Sequence, residues 1–120
     1  MKPNIVKEKS FDFALRVVFL AQYLEGKRKE FVLSKQVLRS GTAIGALVRE
    51  AEHAESKADF VHKMSIALKE ANETLYWLEL LHGGKYIDEK SFRSIGSDSE
   101  ELIKLLITIV KSSKASKRSE

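Results

Sequence analysis

Apolar residues recur along this chain at intervals of three and four, which is the spacing of an amphipathic helix and not of a half-buried strand. The pattern predicts four helices, over residues 10–25, 34–54, 57–82 and 88–112. The links between them are short, so neighbouring helices should be antiparallel. We therefore predict an all-α fold, an up-down-up-down four-helix bundle over residues 10–112, with basic tails at 1–9 and 113–120.

The first predicted helix is apolar on two sides. One side has Phe11, Leu15 and Val18, and the other has Phe13, Val17, Leu20 and Leu24. At about 100° per residue these two sides are nearly opposite, with Ser10 as the expected N-cap. A bundle of this size covers one such side. We expect a partner subunit to cover the other.

The second predicted helix contains seven small or β-branched residues, Ser40 to Ala46. Ser34 is its expected N-cap, and Leu33 and Leu38 are placed to form a hydrophobic staple. A regular apolar face passes through the small residues at positions Val37, Gly41, Ile44, Val48 and Ala51. Two glycines inside a helix cost roughly 1 kcal/mol each. The stretch favours a close helix–helix contact, with a kink or a phosphate loop as the alternatives.

The last two predicted helices have clear boundaries at three of their four ends. Ser56 and Asp59 resemble a capping box at the start of the third, and the sequence HGG at 82–84 should end it. The fourth begins near Asp88. Gly96 is expected to divide it into a loose turn and a firmer helix.

The composition of 43% hydrophobic and 32% charged residues, without cysteine, is that of a cytoplasmic protein with no disulfides. There is no apolar signal segment at the start, and the longest apolar run, LLITIV, is too short to cross a membrane. The net charge of +4 is concentrated in residues 1–9 and 111–120, which together carry +5. These residues are either solvated tails or a nucleic-acid-binding surface. The candidate contacts are Lys2, Lys7, Lys9, Lys27, Arg28, Lys29, Lys57, Lys111, Lys114, Lys117 and Arg118.

Two Glu-x-x-His motifs, Glu50 with His53 and Glu79 with His82, raise the possibility of a di-metal bundle site. The bundle topology places them at opposite ends, about 27 Å apart. The remaining carboxylates lie among Arg39, Lys63 and Lys69 and are expected to form structural ion pairs. We therefore predict no catalytic residue, metal ligand or cofactor site, and no enzymatic activity.

The segment from Leu33 to Leu81 resembles the four-helix bundle family named after the 23S ribosomal RNA intervening-sequence proteins. The residues that carry the resemblance, together with the packing positions between them, are Arg39, Ser40, Gly41, Ile44, Gly45, Ala46, Glu50, Ser56, Phe60, Lys69, Glu70, Glu73 and Trp77. The resemblance implies a homopentameric barrel without catalytic residues or cofactor. The family is also similar to accessory variability proteins of retroelements, which are basic pentamers that bind nucleic acid and a reverse transcriptase. Ala43 and Leu47 stand where the family commonly has Ser and Asn.

Two functional hypotheses follow. The first is a non-catalytic oligomer that binds RNA or DNA through its basic ends. The second is a scaffold or adaptor whose partners are proteins only. Neither involves a membrane.

Overall fold

The fold is an antiparallel bundle of four helices, given by a computed structural model that describes the backbone of residues 3–119 and the side chains of residues 5–115. The helices are α1 (Pro3–Gly26), α2 (Leu33–Glu52), α3 (Lys57–Gly83) and α4 (Glu89–Ser119). Each packs against the next, and α4 returns to α1. The described residues contain no strand, and the molecule measures 52 × 22 × 20 Å. None of these four helices is long and apolar enough to cross a membrane. The predicted all-α bundle is confirmed.

Helix α1 begins at Pro3 rather than at Ser10. Proline suits a first helical turn, where its missing N–H is not needed. Val6 is buried, and the Ser10 hydroxyl donates to the Lys7 carbonyl oxygen at 3.1 Å. Ser10 therefore lies inside helix α1 and not at its start, and the prediction that it caps the helix is wrong. Residues 3–9 belong to the bundle instead of forming a tail.

The start of α2 is capped by Glu30 and not by Ser34. The buried Glu30 carboxylate accepts hydrogen bonds from the backbone N–H groups of Val32, Leu33 and Ser34, at 3.2, 3.0 and 2.8 Å. A carboxylate at this position also interacts favourably with the positive end of the helix dipole. The Ser34 hydroxyl is free to donate to Glu25 Oε2 at 3.1 Å, which links α2 to α1.

Helix α3 begins as predicted, since the Ser56 side chain accepts a hydrogen bond from the Asp59 N–H at 3.0 Å. Helix α4 differs from the prediction because it continues through Gly96 without a break. Gly96 is buried within α4, where its neighbours continue the helix. The helix extends to Ser119, so the predicted tail at 113–120 is helical as far as the structure describes it.

Helices α1 and α2 approach closely at Gly41, as the small residues lead one to expect. A Cβ atom at this position would lie 2.8 Å from both γ-carbons of Val17, which is fully buried. A Cβ at Gly45 would meet nothing nearer than 3.5 Å, an ordinary contact distance. The close contact therefore depends on one of the two glycines.

Helix α2 is tied to α3 on its other side by a buried hydrogen bond. Thr74 Oγ1 lies 2.8 Å from Ser40 Oγ, and both residues are fully buried. Because Ser40 is adjacent to Gly41, the two contacts of α2 occur at one height in the bundle. Together they set the vertical alignment of the first three helices.

Helix α1 buries only one of its two apolar sides. Phe13, Val17 and Leu24 are at most 2% exposed, whereas Phe11 and Leu15 are 49% and 42% exposed. The contact between α1 and α4 is the least extensive in the bundle, and a groove of about 440 Å³ lies along part of it. Arg16 bridges this contact through Asp98, at 2.6 Å, and Ser94, at 2.9 Å.

The close contact predicts opposite effects for two similar substitutions. Gly41→Ala should lower the free energy of unfolding by about 1–3 kcal/mol, because the added methyl overlaps Val17. Gly45→Ala is the matched control and should raise it by about 0.5–1 kcal/mol, because alanine favours the helix and has room. Urea unfolding at one fixed protein concentration measures both values.

The cause of the Gly41→Ala effect can be isolated by a double-mutant cycle with Val17→Ala. If the overlap with Val17 is responsible, the cost of Gly41→Ala should fall sharply once the valine methyl groups are removed. An equal cost in both backgrounds would contradict this explanation.

Candidate nucleic-acid interface

One end of the bundle contains the start of α1, the α2–α3 link and the last turns of α4. We call it the terminal end. Lys7 pairs with Glu52 at 3.1 Å, and Lys9 pairs with Glu101 at 3.3 Å. These two ion pairs join the first turns of α1 to the end of α2 and to α4. The described basic residues of α1 and of the last turns of α4 therefore lie at the same end of the bundle.

The predicted basic contacts at the terminal end differ in their availability. Lys7 and Lys9 are already in ion pairs, while Lys111 and Lys114 are exposed on α4. Lys57 is exposed at the start of α3. Lys2 and the side chains of Lys117 and Arg118 lie outside the described residues.

The outer surface of α4 also contains a lysine that was not among the predicted contacts. Lys104 is exposed and lies seven positions before Lys111, which places both on one side of the helix, with Lys114 nearby. We call Lys104, Lys111 and Lys114 the lysine stripe. The spacing of these residues is visible in the sequence. Lys104 escaped prediction because it lies inside an apolar segment rather than in a basic tail.

Acidic residues balance the basic ones over the rest of the terminal end. The exposed acids there are Glu8, Glu50, Glu52, Glu55, Glu100 and Glu101. Glu52 and Glu101 pair with lysines of α1, and Glu50 pairs with Lys63 of α3 at 2.9 Å. At this end of the bundle the positive excess among the described residues is thus concentrated in the last turns of α4, where cations also interact favourably with the helix dipole.

At the opposite end, Arg28 has a structural role. Its Nη1 donates to the carbonyl oxygens of Lys85 and Tyr86, at 3.0 and 2.9 Å, and its guanidinium lies over the Tyr86 ring. Arg28 therefore joins the α1–α2 link to the α3–α4 link, and its guanidinium is less available to a phosphate. Lys27 and Lys29 are exposed, and Lys29 has a left-handed backbone with φ of 55°.

Four of the motif residues form one polar network on the surface between α2 and α3. Arg39 Nη2 lies 2.6 Å from Glu73 Oε2 and 3.1 Å from Glu70 Oε1. The Trp77 indole N–H donates to Glu73 at 3.0 Å. The Trp77 indole, followed by the Arg39 guanidinium, lowers the pKa of Glu73 below its ordinary value. Glu70, followed by Glu73, raises the pKa of Arg39.

The other motif residues have mainly structural positions. Ile44 is buried, and Phe60 is half-buried against the core, while Ala46 and Lys69 are exposed. Ala43 and Leu47 are half-buried on α2, and Leu47 packs against the core.

The two Glu-x-x-His motifs lie at opposite ends of the bundle. Glu50 is near the α2–α3 link, where it pairs with Lys63. His82 is at the α3–α4 link, where its Nε2 lies 2.8 Å from Glu89 Oε1 and its ring stacks on Phe92. Within the described part of the chain, no group of three or more histidine, cysteine, aspartate or glutamate side chains is placed to hold a metal ion.

The architecture is thus a four-helix bundle with a basic α4 and a polar network between α2 and α3. The family of 23S rRNA-intervening sequence proteins matches residues 2–108, and the chain belongs to that family. The chain is also similar to a crystal structure from Bacteroides thetaiotaomicron, a protein of unknown function from the S23 ribosomal protein family. The two share 59% identity with a TM-score of 0.91 over 92% of this chain and 99% of the other. No curated protein matches the chain.

The polar network predicts a pH-dependent contribution to stability. Because the pKa of Glu73 is lower in the folded chain than the unfolded value of about 4.3, the contribution is complete above that value. It is lost as the pH falls through the folded pKa. Between about pH 5 and pH 3, wild-type protein should lose more unfolding free energy than Glu73→Gln.

Chemical denaturation at a series of pH values measures this difference. Glu79→Gln is the matched control, since Glu79 is exposed on the same helix and its loss removes the same charge. The unfolding free energy of Glu79→Gln should fall with decreasing pH by the same amount as that of wild type. If Glu73→Gln does so as well, the network contributes no pH-dependent stability.

Proposed function

We propose that this protein is a non-catalytic homo-oligomeric bundle that binds RNA or DNA through the lysine stripe of α4. The proposal is carried by one observation, the exposure of Lys104, Lys111 and Lys114 along one side of a helix that ends at the terminal end. Lysines spaced along a helix interact with phosphate as point charges, without reading sequence. Lys117 and Arg118 follow in the sequence and would add to this charge.

Self-association is supported by the uncovered side of α1. Four large side chains there, Phe11, Leu15, Phe19 and Tyr23, are between 42% and 63% exposed. A row of apolar side chains of this size is more typical of an interface than of a free surface. The family resemblance implies a pentameric barrel, which we adopt as the proposed assembly.

Association would strengthen phosphate binding by repeating the lysine stripe. Electrostatic affinity for a nucleic acid grows with the number of phosphates neutralised. Three lysines on one chain are a weak site, whereas several copies presented on one side of an oligomer engage a longer strand. The proposed binding and the proposed assembly are therefore linked.

The non-catalytic part of the proposal is supported by the partners of the central charged residues. Glu50 pairs with Lys63, and Glu70 and Glu73 both pair with Arg39. Carboxylates held in surface ion pairs on two rigid helices are more typical of structural than of acid–base roles.

A protein scaffold is the second candidate function. It is favoured by a separate group of exposed apolar residues, Phe31, Val32, Tyr76 and Leu80. Aromatic residues of this kind are common at the centres of protein interfaces. If the protein is a scaffold, the exposed lysines contribute only to its solubility.

Charge reversal tests the nucleic-acid proposal. Lys111→Glu combined with Lys114→Glu should weaken binding to a labelled single-stranded RNA and to a DNA duplex on the order of tenfold or more at about 50 mM salt. The dependence of the binding constant on salt should also become shallower, by roughly 0.7 in the logarithmic slope for each single-strand phosphate that is no longer neutralised.

Lys27→Glu combined with Lys90→Glu is the matched control, because it changes the net charge equally at the opposite end. The control should bind nearly as wild type does. Equal losses in both variants, or wild-type binding without a salt dependence, would contradict the proposal. Deletion of residues 1–9 is a poorer test of nucleic-acid binding than charge reversal, because it also removes the buried Val6 from the core.

A further inference from the structure

The link between α1 and α2 has a charged residue inside the molecule and apolar residues outside it. Glu30 is only 8% exposed, whereas the next two residues, Phe31 and Val32, are 51% and 71% exposed. A buried charge and an exposed aromatic ring are each contrary to the usual distribution of residues between core and surface. We call Phe31 and Val32 the apolar tip. It lies at the end of the bundle opposite the terminal end, which we call the distal end.

Hydrogen bonds hold the link in this conformation. The Glu30 carboxylate accepts from the three N–H groups that begin α2, and the Glu30 N–H donates to the Leu24 carbonyl oxygen at 2.9 Å. Arg28 ties the link to the α3–α4 link through two carbonyl oxygens. Because the carboxylate is turned inward to cap α2, the two side chains that follow it are left in solvent. The apolar tip therefore belongs to an ordered segment, which lowers the entropic cost of binding.

Exposed lysines share the distal end with the apolar tip. They lie in the two links and in the first turns of α2 and α4, and we call them the distal lysines: Lys27, Lys29, Lys35, Lys85 and Lys90. Among the described residues, none of these five is within ion-pair distance of an acidic side chain, in contrast to Lys7 and Lys9 at the terminal end. Their charges are therefore available to an anionic partner.

The exposed acids of the same links and first turns have partners within the chain. Asp88 accepts a hydrogen bond from the N–H of Ser91 at 2.8 Å, and Glu89 pairs with both His82 and Arg93. Glu79 is exposed about one turn before the end of α3. The distal end thus combines projecting apolar side chains with an excess of available positive charge.

We infer that the apolar tip inserts into the surface of an anionic lipid bilayer, with the distal lysines on the lipid headgroups. Apolar side chains enter the boundary between headgroups and acyl chains, and lysines are attracted to anionic headgroups at that surface. A fluid bilayer accepts two projecting side chains without a preformed pocket, whereas the aromatic anchors of protein interfaces fill pockets on the partner.

This inference differs from the sequence-based expectation of no membrane partner, which considered only spanning and signal segments. A surface contact needs neither. The inference is also independent of the proposed nucleic-acid binding, which concerns the opposite end of the bundle.

Sedimentation with lipid vesicles tests the role of the distal lysines. Wild-type protein should pellet with vesicles of phosphatidylglycerol and phosphatidylcholine, and should stay in the supernatant with phosphatidylcholine alone. Lys27→Glu combined with Lys90→Glu should weaken binding to the anionic vesicles on the order of thirtyfold, since each lysine near an anionic surface contributes roughly fivefold.

Lys111→Glu combined with Lys114→Glu is the matched control, because it changes the charge equally at the terminal end. This control should bind the vesicles nearly as wild type does. The two double variants therefore exchange roles between the vesicle and nucleic-acid assays, so that each proposal can fail separately. Equal losses of vesicle binding in both variants would overturn the assignment to the distal end.

A second pair of variants tests the apolar tip. Phe31→Ser should weaken binding to the anionic vesicles by about tenfold or more, because the half-exposed ring no longer leaves water. Tyr76→Ser is the control, since Tyr76 is 54% exposed but lies on the side of the bundle, about two turns before the end of α3. It should bind as wild type does, and circular dichroism checks that both variants remain helical. An equal loss in the two variants would contradict the role of the tip.

Tryptophan quenching measures insertion directly. The chain has one tryptophan, the half-buried Trp77. Phe31→Trp adds a second at the tip, and its emission should be quenched when the anionic vesicles contain brominated acyl chains. Wild-type emission should be the same in brominated and ordinary vesicles. The inference is overturned if the added tryptophan is not quenched, or if wild-type protein stays in the supernatant with anionic vesicles. The second result would leave the tip to a protein partner.

Discussion

The contact between Gly41 and Val17 is the constraint on which the rest of the bundle depends. It allows α1 and α2 to pack at a distance that any side chain on residue 41 would prevent. The adjacent Ser40 fixes α3 at the same height through its buried bond to Thr74. A buried hydroxyl without a partner costs about 1–3 kcal/mol, so this pair penalises a shift of α3 along α2. Three helices are thus aligned by two neighbouring residues of α2.

This alignment determines which side chains are left outside. With Phe13, Val17 and Leu24 turned inward, Leu15, Phe19 and Tyr23 are left on the outer side of α1, and the Phe11 ring lies under the Arg49 guanidinium of α2. Surface ion pairs such as Lys7–Glu52 and Arg16–Asp98 join the helices but contribute little individually. Packing therefore sets the structure, and the ion pairs add to it. The exposure of the outer apolar residues of α1 is a consequence of the tight core rather than of loose packing.

The helical period was sufficient to predict four antiparallel helices, the close contact at the small residues and the two-sided α1. Helix ends were less predictable, because a serine hydroxyl can form hydrogen bonds to several groups besides the N–H groups at the start of a helix. Ser10 bonds within its own helix and Ser34 bonds to Glu25, while Glu30, four residues before Ser34, caps α2. The role of Arg28 could not be predicted, because its carbonyl acceptors come from a link far along the chain. In the candidate site, the basic tails were visible, but the structure shows residues 3–9 to be helical and adds Lys104.

The mode of association decides whether the lysine stripes act together. Copies with parallel axes place every terminal end on the same side of the assembly, so the stripes of α4 form one basic surface. A two-fold contact along α1 with its axis perpendicular to the helices would make neighbouring copies antiparallel and divide the lysines between two opposite ends. Only the parallel arrangement gives one strand access to several stripes, and phosphate affinity depends steeply on the number of phosphates engaged.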